Sequence, residues 1–177
     1  NTATAYGKTD VENCLKKAGS PVKVIGVIDA GARGALSTFK KNESGSIAIF
    51  ATAGTVASKG YETALKNLIV ANGYTGKLQF FSQGGVGLAE AIDEDLNYID
   101  RKAQEPRTLY KGPDLTKNEL AIQKALLDIY NFDFSAYKML CDANDPEQCN
   151  SMQINSPENY VRFHLVSLLE KMRATPG

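Results

Sequence analysis

The chain reads VKVIGVIDAGARGAL at residues 22–36 and SIAIFATAGTVAS at residues 46–58. Each run opens on a block of apolar, largely β-branched side chains and then passes into Gly, Ala and Thr. A continuous apolar block bounded by polar or turn residues reads as a strand buried on both faces. Residues 22–28 are therefore expected to be the first strand and 46–51 the second, with helices over 31–41 and 55–72. On the second of these helices Tyr61, Leu65, Leu68 and Ile69 share a face, and Asn72-Gly73 supplies the stop. Residues 77–81 read as a short third strand, and 1–18 as a helix ahead of the first. Strands alternating with helices predict βαβ units, hence an α/β fold with a parallel sheet flanked by helices on both faces.

The second half changes character. Leu88, Ile92, Leu96 and Ile99 mark a helix over 87–102, followed by a loop with Pro106, Gly112 and Pro113. Thr116 with Glu119 has the spacing of a capping box and predicts a helix to residue 130, with Ile122, Leu126 and Ile129 inward. Residues 142–157, rich in Asp, Asn, Ser and Pro, read as loop. Ser156-Pro157 then reads as an N-cap with Pro at the first helical position. The last helix is expected to bury Val161, Leu165, Leu168, Leu169 and Met172.

The 177 residues suit one domain, or one domain with an insertion. Hydrophobic residues make up 43% of them, enough for a core of ordinary size. Twenty Lys and Arg balance twenty Asp and Glu, which removes the electrostatic reason to expect nucleic acid or an anionic membrane as partner. No apolar run approaches the roughly 20 residues of a membrane helix. The chain opens without Met, so the lack of a signal-peptide pattern carries little weight. Three cysteines, an odd number at low density, do not make a disulfide scaffold and point to a reducing compartment, although Cys141 and Cys149 can still pair.

In open parallel sheets ligands bind beyond the carboxyl ends of strands. The turns after the first two strands are 29–35 and 52–58, and the second offers the hydroxyls of Thr52 and Thr55 at a helix N-terminus. Such hydroxyls either cap the helix or help its free N–H groups receive a carboxylate or phosphate. Cys14 falls in a helical pattern and reads as a structural or free thiol. Cys141 and Cys149, with His164, do not have zinc-site spacing, and His164 borders an apolar helix face. Gly84, Gly85 and Gly87 lack the full dinucleotide-loop pattern.

Residues 24–36, VIGVIDAGARGAL, resemble the glutamate racemase segment VIGVIEPGARAA. Residues 51–65, ATAGTVASKGYETAL, are similar to that family's GTxATIKSGAYxxAL, and the opening NTATA resembles the residues after the first catalytic cysteine in C-N-T-A-x-A. The three stretches occur in family order and spacing over about the first 75 residues. Residues 80–90, FFSQGGVGLAE, match more loosely and keep Val86, Leu88 and Glu90 in register. Residues 93–156 have no counterpart, so 1–92 plus 157–177 are expected to form a racemase-like domain carrying a mainly helical insertion.

The resemblance implies an amino-acid racemase that interconverts L- and D-glutamate for peptidoglycan synthesis in the cytoplasm. Two cysteines on opposite faces of the substrate serve as thiolate base and thiol acid, without pyridoxal phosphate, metal or nucleotide. It implies that Asn1 and Thr2 hold the substrate's α-amino and carboxylate groups, that Thr52 and Thr55 belong to the carboxylate site, and that Glu90 supports the catalytic histidine. Both catalytic cysteines would lie outside this chain, leaving it inactive alone. The expected partner is a small acidic amino acid, with a homodimer as the family's common assembly. The alternative is a ligand-binding relative without turnover, motivated by the altered segment 82–87 and the insertion. The insertion's Leu127, Tyr130, Phe132, Phe134 and Tyr137 form either its own core or a protein-contact surface.

Overall fold

The computed structural model describes residues 2–175, and its contacts group into two compact units, Asn1–Gly84 and Gly85–Gly177. Among the described residues there are two two-stranded sheets, one in each unit.

The first unit runs α1 (Thr2–Lys17), α2 (Val27–Leu36), β1 (Gly45–Ala51), α3 (Ala53–Ala57), α4 (Gly60–Ala71) and β2 (Leu78–Gly84). Strands β1 and β2 pair in parallel from Gly45↔Leu78 to Ala51↔Gly84. Ile47 and Ile49 on β1 are buried with Ala32 and Leu36 of α2 and Leu65 of α4. The unit is thus α/β, with its parallel strands flanked by helices.

Several expectations fail here. Residues 22–28 are not a strand: 21–26 have no regular structure, and Val27 and Ile28 begin α2. The competing pattern is Ile28, Ala32 and Leu36 at four-residue spacing, which aligns them on one helix face, and all three are buried. The turn expected over 29–35 is consequently helix. Val22 and Ile25 stay 64% and 85% exposed, so the run's hydrophobicity did not reflect burial. Nor is the sheet covered on both faces, because Ser46 and Ala48, alternating with the buried isoleucines, are exposed. The single helix expected over 55–72 is two, α3 and α4, hinged at Lys59 in a left-handed conformation (φ 53°).

The second unit contains α5 (Leu88–Ile92), α6 (Leu127–Tyr130), β3 (Met139–Cys141), β4 (Met152–Ile154) and α7 (Pro157–Ala174), joined by irregular segments and 3-10 turns. The helices expected over 87–102 and 116–130 shrink to α5 and α6. Thr116 caps no helix; its hydroxyl and N–H both bond the Asp114 carboxylate (2.9 and 2.7 Å). The loop expected over 142–157 contains β4, antiparallel to β3 in register Met139↔Ile154.

A set of carboxamides satisfies the backbone of this irregular chain. The Gln153 side chain accepts from Arg107 N–H and donates to Arg107 C=O, both at 2.8 Å. Asn155 does the same to Asp100 (2.9 and 3.0 Å), and Asn159 to Asp133 (2.9 and 2.8 Å). Each amide imitates a strand neighbour and meets the requirement that buried N–H and C=O groups be paired. Around them Tyr110, Ile122, Tyr130, Phe132, Met152, Ile154 and Phe163 form one core.

Helix α7 starts where expected: Ser156 Oγ accepts from Asn159 N–H at 3.3 Å, and Pro157 fills the first turn. Ser156→Ala is expected to cost the second unit about 1 kcal/mol in denaturant unfolding, the usual weight of an N-cap. The buried face of α7 differs from the expected one. Asn159, Tyr160, Phe163, His164, Val166 and Leu168 are buried, while Leu165 and Leu169 remain 42% and 46% exposed. Two aromatic rings outweigh two leucines in area removed from water, and Asn159 and His164 enter the core because their polar atoms find partners there. No helix among the described residues is long and apolar enough to cross a membrane.

Candidate functional site

Three of the threonine hydroxyls singled out in the sequence meet in the first unit. Thr2 is the first residue of α1, and Thr52 directly follows the carboxyl end of β1. Their Oγ1 atoms lie 3.1 Å apart; Thr2 and Thr55 are 3.1 Å apart, and Thr52 and Thr55 3.0 Å. The three oxygens form a closed triangle of hydrogen-bonding distances. Thr55 is 1% exposed, whereas Thr2 and Thr52 are exposed, so the triangle has a buried apex and an open edge.

The chain builds this triangle by local means. Thr52 caps α3, accepting Thr55 N–H at 3.3 Å, so the capping role is realised. The Ser58 hydroxyl donates to Thr55 C=O at 2.6 Å and fixes the end of that turn. The hydroxyl of Tyr6, one turn after Thr2 on α1, donates to Gly54 C=O at 3.1 Å and ties the two helices together. Behind them Gly84, the β2 partner of Ala51, passes so close that a Cβ there would meet Ala53 Cα at 3.1 Å. The first turns of α1 and α3 contain no acidic residue. Further along α1, Lys8 Nζ binds the Asp29 carboxylate at 2.6 Å. That hydrogen bond and the carboxylate's charge hold the Lys8 ammonium above its ordinary pKa.

Chemically, three hydroxyls in mutual contact offer three rotatable protons. In the closed triangle they are spent on one another. A carboxylate at the open edge would draw them outward, and O–H···O⁻ bonds are stronger than neutral ones. Tyr6 is the residue of this arrangement that sequence reasoning missed; its four-residue spacing from Thr2 on a helix was the available signal.

The other candidates fall elsewhere. Asn1 lies outside the described residues. Glu90 is exposed on α5 in the second unit. His164 is fully buried on α7, with Nε2 at 3.0 Å from Val86 C=O. Burial holds its pKa below the ordinary 6.5. The unfolded chain therefore takes up a proton that the folded unit resists. Stability from this group is complete above about pH 6.5 and is lost as pH falls from there toward the lowered folded value. Unfolding free energy of the wild type should fall by at most ~1.4 kcal/mol per pH unit over that window, and His164→Gln should remove that slope. Cys14 is exposed and free, and Cys141 is bonded to Cys149. The sulfurs of that bond lie with the Asp142 carboxylate within 4.8 Å of one another, but a disulfide offers no thiolate ligands.

The first unit is therefore of the α/β class that gathers polar side chains beyond the carboxyl end of a parallel strand. Comparison with known proteins narrows that class. Over 68 residues, 38% of this chain, it is 38% identical to glutamate racemase of Staphylococcus epidermidis. Over 67 residues it is 40% identical to that of Enterococcus faecalis, and over 68 residues 43% identical to that of Listeria monocytogenes. The chain is thus related to glutamate racemases over part of its length. The matched stretch spans 22–23% of the length of those relatives, about a fifth. No family model matches the chain. A glutamate racemase isoform from Bacillus anthracis superposes over 97% of this chain and 56% of its own, with 22% identity and a TM-score of 0.39, too low to identify a common fold.

Proposed function

We propose that the first unit is the substrate-carboxylate half of a glutamate racemase whose remaining parts lie outside this chain. The observation that carries the reading is the triangle of Thr2, Thr52 and Thr55 hydroxyls at 3.0–3.1 Å, built from stretches that resemble glutamate racemases. Removing a Cα proton leaves carbanion-like charge next to the carboxylate. Hydroxyls aimed at that carboxylate favour the charged transition state over the ground state. The proton itself would pass between two cysteine thiols supplied by the rest of the parent, one on each face of the substrate, with no cofactor required. A thiolate base implies a reducing compartment, the cytoplasm, and D-glutamate implies peptidoglycan synthesis. This chain alone is proposed to be inactive.

The test uses the full-length parent with methyl-labelled threonine. L- and D-glutamate are expected to shift the Thr2, Thr52 and Thr55 resonances, and 4-aminobutyrate, which lacks the α-carboxylate, is not. Equal shifts with 4-aminobutyrate would remove the α-carboxylate from this site. Shifts with both glutamate enantiomers but no turnover would favour the ligand-binding relative, the reading motivated by the changed segment 82–87.

A further inference from the structure

We infer that Cys141 and Cys149 are a thiol–disulfide exchange site, attacked first at Cys141, that latches the β3–β4 hairpin of the second unit. The bond joins the last residue of β3 to the loop just ahead of β4, with a Cα–Cα separation of 5.7 Å. The two cysteine residues differ in burial. Cys149 is fully buried in the core with Met152 and Ile154, whereas Cys141 is only partly buried against it.

The bond works together with non-covalent ties. Asp142 Oδ1 accepts from Asn150 N–H and Ser151 N–H (2.8 and 3.1 Å), which closes the loop beside the disulfide. Those bonds hold the Asp142 carboxyl below its ordinary pKa. Within the loop Asp145 caps the turn Pro146–Gln148, and Lys124 Nζ donates to Glu147 C=O at 2.9 Å. The loop therefore has one covalent and several polar anchors, and the three-residue β4 beyond it is also held by the Gln153 side chain on Arg107 and by the buried Met152 and Ile154. Loss of the covalent anchor loosens the loop between β3 and β4, whose remaining ties are mostly exposed to water.

Opening begins when the thiolate of a dithiol reductant attacks Cys141 Sγ, forming a mixed disulfide there and expelling Cys149 as thiolate, which takes a proton. The reductant's second thiolate then attacks its own sulfur in the mixed disulfide. Cys141 leaves as thiolate and is protonated, and the reductant becomes a disulfide. Two electrons pass from reductant to protein. Closure is the reverse, with a disulfide donor accepting them. Attack at Cys149 would require the core to open first, so Cys141 is the faster sulfur.

The experiment treats the folded, oxidised chain with limiting glutathione, quenches with acid and maps the mixed disulfide. Adduct at Cys141 in at least about tenfold excess over Cys149 is expected from the access difference; equal adducts, or Cys149 in excess, would overturn Cys141 as the point of attack. In parallel, alkylation in denaturant should find one free thiol, Cys14, before dithiothreitol and three after it. Three before reductant, in protein prepared with immediate quenching, would overturn the bond itself. Full reduction should lower the melting temperature of the second unit by on the order of 10 °C and raise amide exchange in β3 and β4, leaving β1 and β2 unchanged. Unchanged exchange in β3 and β4 would overturn the latch. None of these readouts depends on racemase activity, so the inference stands or falls apart from the proposed function.

Discussion

Thr55→Val in the full-length parent is expected to lower kcat/KM for glutamate by roughly 10- to 100-fold, the weight of one hydrogen bond to a charged group. Valine nearly reproduces the shape of threonine, and residue 55 is 1% exposed, so no cavity opens and the fold is retained. The loss is confined to the buried apex of the triangle. Thr2 and Thr52, the hydroxyls at the open edge, each lose the buried partner that orients them, at 3.1 and 3.0 Å. The Ser58 bond to the residue 55 carbonyl involves only backbone at that position and survives. Thr55→Ser keeps the hydroxyl and should recover most of the rate. Steady-state kinetics on the three proteins, with melting curves as a folding control, decide the matter. An unchanged kcat/KM in a folded Thr55→Val enzyme would mean that these hydroxyls serve only to cap α3.

The second large effect concerns stability. Asn159→Ala is expected to destabilise the second unit by about 3 kcal/mol or more, read as a lower denaturant midpoint. Asn159 is fully buried and makes three side-chain hydrogen bonds, to Asp133 N–H, Asp133 C=O and Lys138 C=O (2.9, 2.8 and 3.3 Å). Alanine removes the partner of Asp133 N–H and C=O beside a core of Tyr130, Phe132 and Phe163, while Lys138 C=O keeps its bond from Asn155 N–H at 2.8 Å. An unpaired buried polar group costs more than a made bond gains. Asn159→Asp tests the same point differently, since it retains the acceptor, loses the donor and adds a charge. A change under about 1 kcal/mol in Asn159→Ala would show that water replaces the carboxamide, and that the amide pairing does not hold the irregular chain together.

How far the sequence foretold these features differs between the two units. In the first, β1, β2, α1 and α4 follow from local patterns: an apolar run, an amphipathic spacing, an Asn-Gly stop. The meeting of Thr2 with Thr52 and Thr55, fifty residues apart, does not follow from periodicity. It was expected only through likeness to racemase motifs. The run at 22–28 misled because a β-branched block cannot be told from a helix start by composition alone. There the Ile28, Ala32, Leu36 register prevailed. In the second unit the miss has a different cause. Residues 93–156 satisfy their backbone through Gln153 and Asn155, and through Asn159 just beyond, and polar side chains of this kind read in sequence as loop. Hydrophobic patterning cannot report a carboxamide acting as a strand neighbour. It also placed the buried face of α7 one step around the helix, because it could not value Asn159 and His164 as core residues. Sequence patterning leaves the Cys141–Cys149 bond open because it depends on β3 and β4, whose three-residue lengths give almost no pattern.

The measurement that tests the central claim most directly is solvent deuterium incorporation at Cα, monitored by NMR or mass spectrometry. The full-length parent, folded and reduced, is incubated in D₂O with L-glutamate, D-glutamate and, as control, aspartate. Deuterium is expected at Cα of both glutamate enantiomers, with interconversion between them and a loss of rate in Thr55→Val. Absence of exchange with either enantiomer would contradict the racemase reading and leave the Thr2–Thr52–Thr55 triangle as part of a protein that does not turn glutamate over.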